Sequence, residues 1–296
     1  MRIGIDVGGT KIEGIALEDG SEQLCRLRVP TPRDDYSGTI AAIVSVVAAL
    51  ERETGRSGSV GLGIPGAVSP ANGRIKNANS TWLNRRALQQ DVEQVLGRPV
   101  RLANDANCFA LSEAIDGAAA GSDVVFGVIL GTGCGGGIVV RRQVLTGPNA
   151  LAGEWGHNPL PAPTDDERPG PACYCGRSGC IETFLSGPGL ACDYASNGGE
   201  RVDAMEVARR AGDGEAIALA AMERYEARFA RALTTVVNLL DPDVIVLGGG
   251  LSNIDRLYIN VPPLLRPFGD DPLRTAIRKA RFGDSSGVRG AAWLWE

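Results

Sequence analysis

The sequence predicts an α/β protein built as two lobes. Three observations carry that expectation: the length, the alternation of short apolar strands with helix-length apolar patterns, and glycine-tipped strands that recur in both halves. At 296 residues and 30.9 kDa the chain exceeds the usual size of one domain, so two lobes are the default. Arg2 to Val7 alternates into a strand, Gly8-Gly9 turns it, and Lys11 to Leu17 returns as its hairpin partner. Gly38 to Thr54 is an apolar-rich helix ending at Gly55, Ser59 to Ile64 a short strand closed by Pro65-Gly66, and Leu83 to Leu96 a helix stopped by Gly97 and Pro99. Pro99 to Ala103 is a strand, and Asn104-Asp105 reads as the cap of a helix through Ala120.

The second lobe begins with a strand over Asp123 to Leu130, a glycine turn and a strand over Ile138 to Val140. Pro159 to Pro171 is a proline- and acid-rich loop. From Glu215 to Leu240, apolar residues at Leu219, Met222, Phe229, Leu233, Val236 and Leu240 mark one face of a long helix, which Pro242 ends. Asp243 to Leu247 is a buried strand leading into Gly248-Gly249-Gly250.

Composition excludes several classes. Hydrophobic residues make up 44% and charged residues 22%, which rules out a disordered or fibrous chain. A net charge of −5 argues against general nucleic-acid affinity. The longest apolar run, Ile40 to Leu50, is too short to span a membrane, and MRIGIDVGGT lacks the layout of a signal peptide, so a cytoplasmic protein is expected. Seven cysteines, an odd number, do not form a disulfide framework. Cys25, Cys108, Cys134 and Cys192 are scattered and are expected to be small buried hydrophobes.

Gly61-Gly63-Gly66 and Gly131-Gly133-Gly136 both match the dinucleotide fingerprint, yet the segments after them (AVSP and IVV) cannot open a helix, so that reading is rejected. There remain Asp6-Val7-Gly8-Gly9-Thr10-Lys11 and Gly131-Thr132-Gly133-Cys134-Gly135, each between two strands. Glycine turns let backbone N–H groups approach phosphate oxygens, threonine adds a donor, and an aspartate at the strand end suits Mg²⁺. One such turn would more simply be a bare hairpin; two, with the Gly248 to Gly250 turn, favour a nucleotide site. They resemble the first and second phosphate motifs of the sugar kinase, hexokinase and actin type of ATPase fold.

His157, the single histidine, precedes Cys173, Cys175 and Cys180 in the segment CYCGRSGC. One imidazole and three thiolates fill a tetrahedral Zn²⁺ shell, and a full protein shell signals a structural site. Gly176 and Gly179 let the chain fold back so that the three sulfurs face one point.

Glu154-Trp155-Gly156-His157 with CYCGRSGCIE, together with Asp6 to Lys11, Gly61 to Gly66, Asn104 to Asn107 and Asp243 to Gly250, resembles the signature of the ROK family of bacterial sugar kinases and sugar-responsive repressors. Within it, residues 76–84, 154–161 and 283–295 are most similar to the ROK-type fructokinase (mannokinase). The resemblance implies a two-lobed actin/hexokinase-like fold with a structural zinc loop, and commonly a homodimer. The expected lobes are 1–118 with about 284–296, and 119–283. It implies Asp105 as catalytic base, Gly66, Asn79, Asn104, Glu154, His157 and Glu182 at the sugar, Gly8, Gly9, Thr10, Lys11, Gly131, Thr132, Gly133 and Gly249 at ATP, and Asp6 by Mg²⁺.

The expected reaction carries the γ-phosphoryl of ATP to the primary hydroxyl of a free hexose, fructose first and mannose next, with an N-acetylglucosamine or glucose kinase as the alternative. Anionic Glu154 and Glu182 suit a neutral sugar rather than a sugar phosphate. A repressor would need a helix-turn-helix ahead of the strand that starts at Arg2. A sugar-binding module would not need Asp6 and three glycine turns.

Overall fold

The computed structural model describes residues 1–269 and 271–295, apart from the side chain of Asp284. In chain order its elements are β1 (Arg2–Val7), β2 (Lys11–Leu17), β3 (Gln23–Pro30), α1 (Tyr36–Thr54), β4 (Ser59–Ile64), β5 (Ala67–Val68), β6 (Ile75–Lys76), α2 (Leu88–Leu96), β7 (Val100–Asn104) and α3 (Asp105–Ile115). There follow β8 (Val124–Leu130), β9 (Cys134–Val140), β10 (Gln143–Val144), α4 (Ile181–Leu185), α5 (Gly187–Ser196), α6 (Ala204–Gly212), α7 (Ala216–Leu240), β11 (Val244–Gly248), α8 (Arg256–Asn260), β12 (Ala276–Lys279) and α9 (Ser286–Ala292). Among the described residues these form two five-stranded sheets, ordered β3-β2-β1-β4-β7 and β10-β9-β8-β11-β12, and a two-stranded one, β5-β6.

In the first sheet β1, β2 and β3 are antiparallel, while β4 and β7 join β1 in parallel. Glycines set how closely its layers approach. On one face Gly14 receives Leu50 of α1, whose Cδ1 would lie 3.0 Å from an added Cβ. On the other, Gly4 and Gly61 leave room for the backbone of α9, since a Cβ at either would overlap the carbonyl of Val288 or Ala291. Gly290 does the same for α9 against the Cys108 carbonyl of α3. Gly61 therefore serves packing, the physical reason its fingerprint match carries no dinucleotide.

The chain divides into two compact units: Met1–Gly121 with Gly137–Ala152 and Asp284–Glu296, and Ser122–Gly136 with Gly153–Gly283. The boundary differs from the sequence reading in the 137–152 stretch, which groups with the first unit. Gly137 explains this, because it sits so close to Ala106 of α3 that a Cβ would overlap its carbonyl. In the second unit β8, β11 and β12 run parallel.

Several boundaries shift. The helix expected from Leu83 begins at Leu88, preceded by a single 3₁₀ turn over Thr81–Leu83. The helix expected to reach Ala120 stops at Ile115. In α7, Met222, Phe229 and Leu233 are buried as expected, but Leu219 is 37% exposed and Val237 rather than Val236 turns inward. Cys192 is exposed, not buried, because α5 presents it outward. Among the described residues, no helix is long and apolar enough to cross a membrane.

Candidate active site

In the first unit the turn between β1 and β2 is tied down through its carbonyls. Thr31 Oγ1 donates to the Gly8 carbonyl (2.7 Å), Arg33 Nε to that of Gly9 (3.0 Å) and the Thr31 N–H to that of Thr10 (3.0 Å). Gly8 N–H closes the hairpin on Lys11 (3.0 Å). The carbonyls are thus engaged, while among the described residues no hydrogen bond takes up the N–H groups of Gly9 and Thr10 or the threonine hydroxyl, donors of the kind a phosphate needs.

Asp6 ends β1 opposite Glu13 of β2. Its carboxylate oxygens lie 3.8 Å from where a Cβ would sit on Gly63 and on Gly287, so bare backbone borders it on two sides. Burial first, then the charges of Asp105 and Glu13, push the Asp6 carboxyl up to about 7, with Lys11 opposing. An added cation would suit such a carboxyl, which fits Asp6 as a Mg²⁺ position.

Asn104 caps α3: its Oδ1 accepts from Ala106 N–H (2.9 Å) while its Nδ2 donates to the Gly66 carbonyl (3.1 Å). The sequence left Asp105 between cap and base; the structure gives the cap to Asn104 and places Asp105 at the first helical position, also accepting from Ala106 N–H (2.8 Å). Gly66 is required here. Its φ is +129°, and a Cβ would lie 2.8 Å from the Lys76 carbonyl and 2.9 Å from Ala78. Asn84 holds Ala78 by both N–H and carbonyl, each at 2.9 Å, so that exposed Asn79 stands between buried Ala78 and buried Ser80.

In the second unit Gly131 N–H closes on the Gly133 carbonyl (3.0 Å), and Glu182 Oε2 accepts from Cys134 N–H (2.9 Å). A Cβ on Gly133 would stand 2.6 Å from that same oxygen. Glu182, expected at the sugar, thus also braces the second glycine turn. Gly249 adopts φ +78°, a Cβ there would overlap the Leu130 carbonyl, and its own carbonyl accepts from Ser252 Oγ (2.7 Å). Glu154 is exposed, while its neighbour Trp155 is buried edge-on against Phe126 and donates to the Gly135 carbonyl (3.1 Å).

His157, Cys173, Cys175 and Cys180 place their donor atoms within 4.8 Å of one another. Cys173 Sγ lies 3.5 Å from His157 Nδ1, and Cys175 Sγ lies 3.6 Å from Cys180 Sγ. Tetrahedral Zn²⁺ with bonds of about 2.3 Å to sulfur and 2.0–2.1 Å to nitrogen separates its ligands by about 3.5–3.8 Å, the spacing of those two pairs, so the residue types and these separations are compatible with that ion. Gly176 and Gly179 turn the loop with φ of +87° and +70°. Tyr174, missed in the sequence, bonds His157 Nε2 (2.8 Å). With Nδ1 facing Cys173, the ring nitrogen of His157 left for a sugar hydroxyl is engaged by Tyr174. Nothing in the spacing of CYCGRSGC pointed to it.

Two glycine turns, strand-end and helix-start aspartates, and a His/Cys₃ loop define an α/β protein of the phosphate-handling class. A family model described as "ROK family" matches residues 2–296, and the chain belongs to that family. It is 41% identical to the N-acetyl-D-glucosamine kinase of Photobacterium profundum over 99% of both chains. Its fold matches the ROK hexokinase from Thermus thermophilus with a TM-score of 0.84 and 32% identity, over 99% of this chain and 96% of that one. It also matches a ROK family glucokinase from Streptomyces griseus, solved with glucose and AMPPNP, with a TM-score of 0.75 and 27% identity over 99% and 98%. The family expectation holds. The narrower likeness to fructokinase is not what these relatives support.

Proposed function

We propose that this chain is an ATP-dependent kinase of a free hexose, with N-acetyl-D-glucosamine as its first substrate. The observation that carries this is the 41% identity to an N-acetyl-D-glucosamine kinase over nearly the whole of both chains, with the glycine turns, Asp6, Asp105 and the His/Cys₃ loop all in place. Fructose, expected first from residues 76–84, moves behind it. Those residues serve anchoring in part: Asn84 grips Ala78, and Trp82 donates to Thr39 Oγ1 (3.1 Å) on α1. Their similarity therefore reflects local architecture as well as sugar choice.

In this reading Asp105 accepts the proton of the attacking primary hydroxyl, and Asn104 fixes both the start of α3 and the Gly66 carbonyl beside the sugar ring. Gly9, Thr10 and Lys11 are phosphate donors within the first unit, and Thr132, Gly133 and Gly249 are the nucleotide residues assigned within the second. Mg²⁺ at Asp6, when bound, neutralises phosphate charge. Asn79, Glu154, Glu182 and His157 orient sugar hydroxyls. Zn²⁺ at His157, Cys173, Cys175 and Cys180 is structural, fixing the loop on which His157 sits.

The test is ADP release with MgATP against N-acetylglucosamine, glucose, mannose and fructose at equal concentration, on protein whose zinc content has been measured. N-acetylglucosamine should lead. Fructose or mannose leading would overturn the substrate assignment, no turnover with any sugar would overturn the kinase, and full activity in zinc-free protein would remove the structural metal.

A further inference from the structure

Ser80 occupies the N-cap position of the 3₁₀ turn Thr81–Leu83, where a serine hydroxyl ordinarily accepts a backbone N–H, yet its side chain makes no cap bond. It is 3% exposed, and among the described residues no hydrogen bond engages its hydroxyl within the protein. The hydroxyl oxygen is not one of the fully buried unpaired polar atoms, so it keeps an opening through which a ligand oxygen can reach it.

The side chain points at the first phosphate turn. A Cβ built on Gly9 would find Ser80 Oγ at 3.5 Å and no other atom within 4 Å. Gly9 is therefore not glycine for the reasons that apply elsewhere in this chain. Its φ is not among the positive values, as that of Gly66 is, and no backbone crowds it, as Val288 crowds Gly4. What the missing side chain leaves is a space over the turn, with the Ser80 hydroxyl as its wall.

Ser80 is also held in place from both sides. Asn84 grips the backbone of Ala78 twice, and the Trp82 indole is pinned to Thr39 of α1. Leu83 N–H bonds the Ser80 carbonyl (3.0 Å). A donor fixed before the reaction, beside a turn that binds phosphate, is placed to act without reorganisation.

We propose that Ser80 is a further catalytic residue, donating a hydrogen bond to an oxygen of the transferring phosphoryl group in the space that Gly9 keeps open. This rests on the kinase reading above. The bond strengthens as charge develops on the phosphoryl oxygens, so its loss falls on kcat more than on substrate affinity.

The experiment compares wild type, Ser80→Ala, Ser80→Thr and Gly9→Ala in steady-state kinetics with MgATP and the best hexose, alongside thermal melting. Ser80→Ala is expected to lower kcat about 10²-fold with the sugar KM changed less than about threefold, and threonine, which keeps the hydroxyl, to restore much of the loss. Gly9→Ala should melt like wild type and lose activity, since the protein itself has room for the methyl. A Ser80→Ala enzyme with wild-type kcat would overturn the proposal, as would a loss confined to KM or a threonine variant no better than alanine. If wild type itself turns over no hexose, the kinase reading has failed instead, and the two failures are told apart in the same plate.

Discussion

Asp105 shows how a helix start can carry a chemical residue. The position invites a carboxylate to act as the cap, but Asn104 takes that role and leaves Asp105 one residue inside, accepting from Ala106 N–H. Asp105→Asn keeps an oxygen able to accept from that N–H and removes only the proton acceptor. We expect kcat to fall about 10²–10⁴-fold while sugar affinity, read by calorimetry, changes little. A variant retaining most of its turnover would remove Asp105 as the base. At this scale the sequence was legible wherever a residue type is demanded by backbone or by chemistry: Gly66 by its φ of +129°, and the three thiolates by their spacing around one point. It was illegible where a role depends on what folds against the residue. Ser80, Tyr174 and the Glu182 brace on Cys134 N–H are all of that kind.

Elements carry a second set of constraints, and the proline- and acid-rich loop is the clearest case. It read as an irregular connection, and it is one, yet Glu167 anchors it to α7 through Arg228 Nε (2.8 Å) and Arg231 Nη2 (2.7 Å). Burial alone would raise the Glu167 carboxyl, but the bonds from Arg231, Arg228 and Thr164 N–H outweigh it and hold it down at about 2, against an ordinary 4.5. A depressed carboxylate contributes stability that is fully present above its unfolded value and is lost as pH falls through its folded one. Glu167→Gln should therefore destabilise by about 3 kcal/mol near neutral pH, because Arg228 is left buried with only Asp193 to pair it. The gap in melting temperature should hold above about pH 5 and close toward about pH 2. A gap as wide at pH ~3 as at pH ~7 would mean that packing, not charge, supports the loop. Strands and helices with clean periodicity were legible, as β1, β2 and β4 show. β3 was missed although Arg26 to Val29 alternates as a strand does, because at the sheet edge only Cys25 of QLCRLRVP is buried and no apolar run marks it, and α9 because SGVRGAA is small enough to read as a turn.

For the molecule as a whole, the consequence of interest is that the first unit is not contiguous. Its sheet is laid down by the first hundred residues, but α9, from the far end of the chain, fills one face of it. The glycines at 4, 61 and 290 exist to admit that helix, and the tail beyond it is fastened as well. Trp295 Nε1 donates to the Val60 carbonyl (2.6 Å), and Arg101 and Arg2 stack on Trp295 and Trp293 at 4.5 and 4.7 Å. Until residues 284–296 arrive, the α9 face of β1 and β4 and the mostly buried helix α3 have no cover, and apolar surface of that kind is what drives folding. The second unit, built largely from 153–283, has no such dependence on the chain end. Stopping the chain after Gly283 should therefore unfold the units unequally. In hydrogen exchange, amides of β1, β4 and α3 should lose most of their protection, while those of β8, β11 and α7 keep much of theirs. Equal loss in both would show that the two units fold as one cooperative body, and unchanged protection in β1 and β4 would show that α9 decorates the sheet rather than completing it.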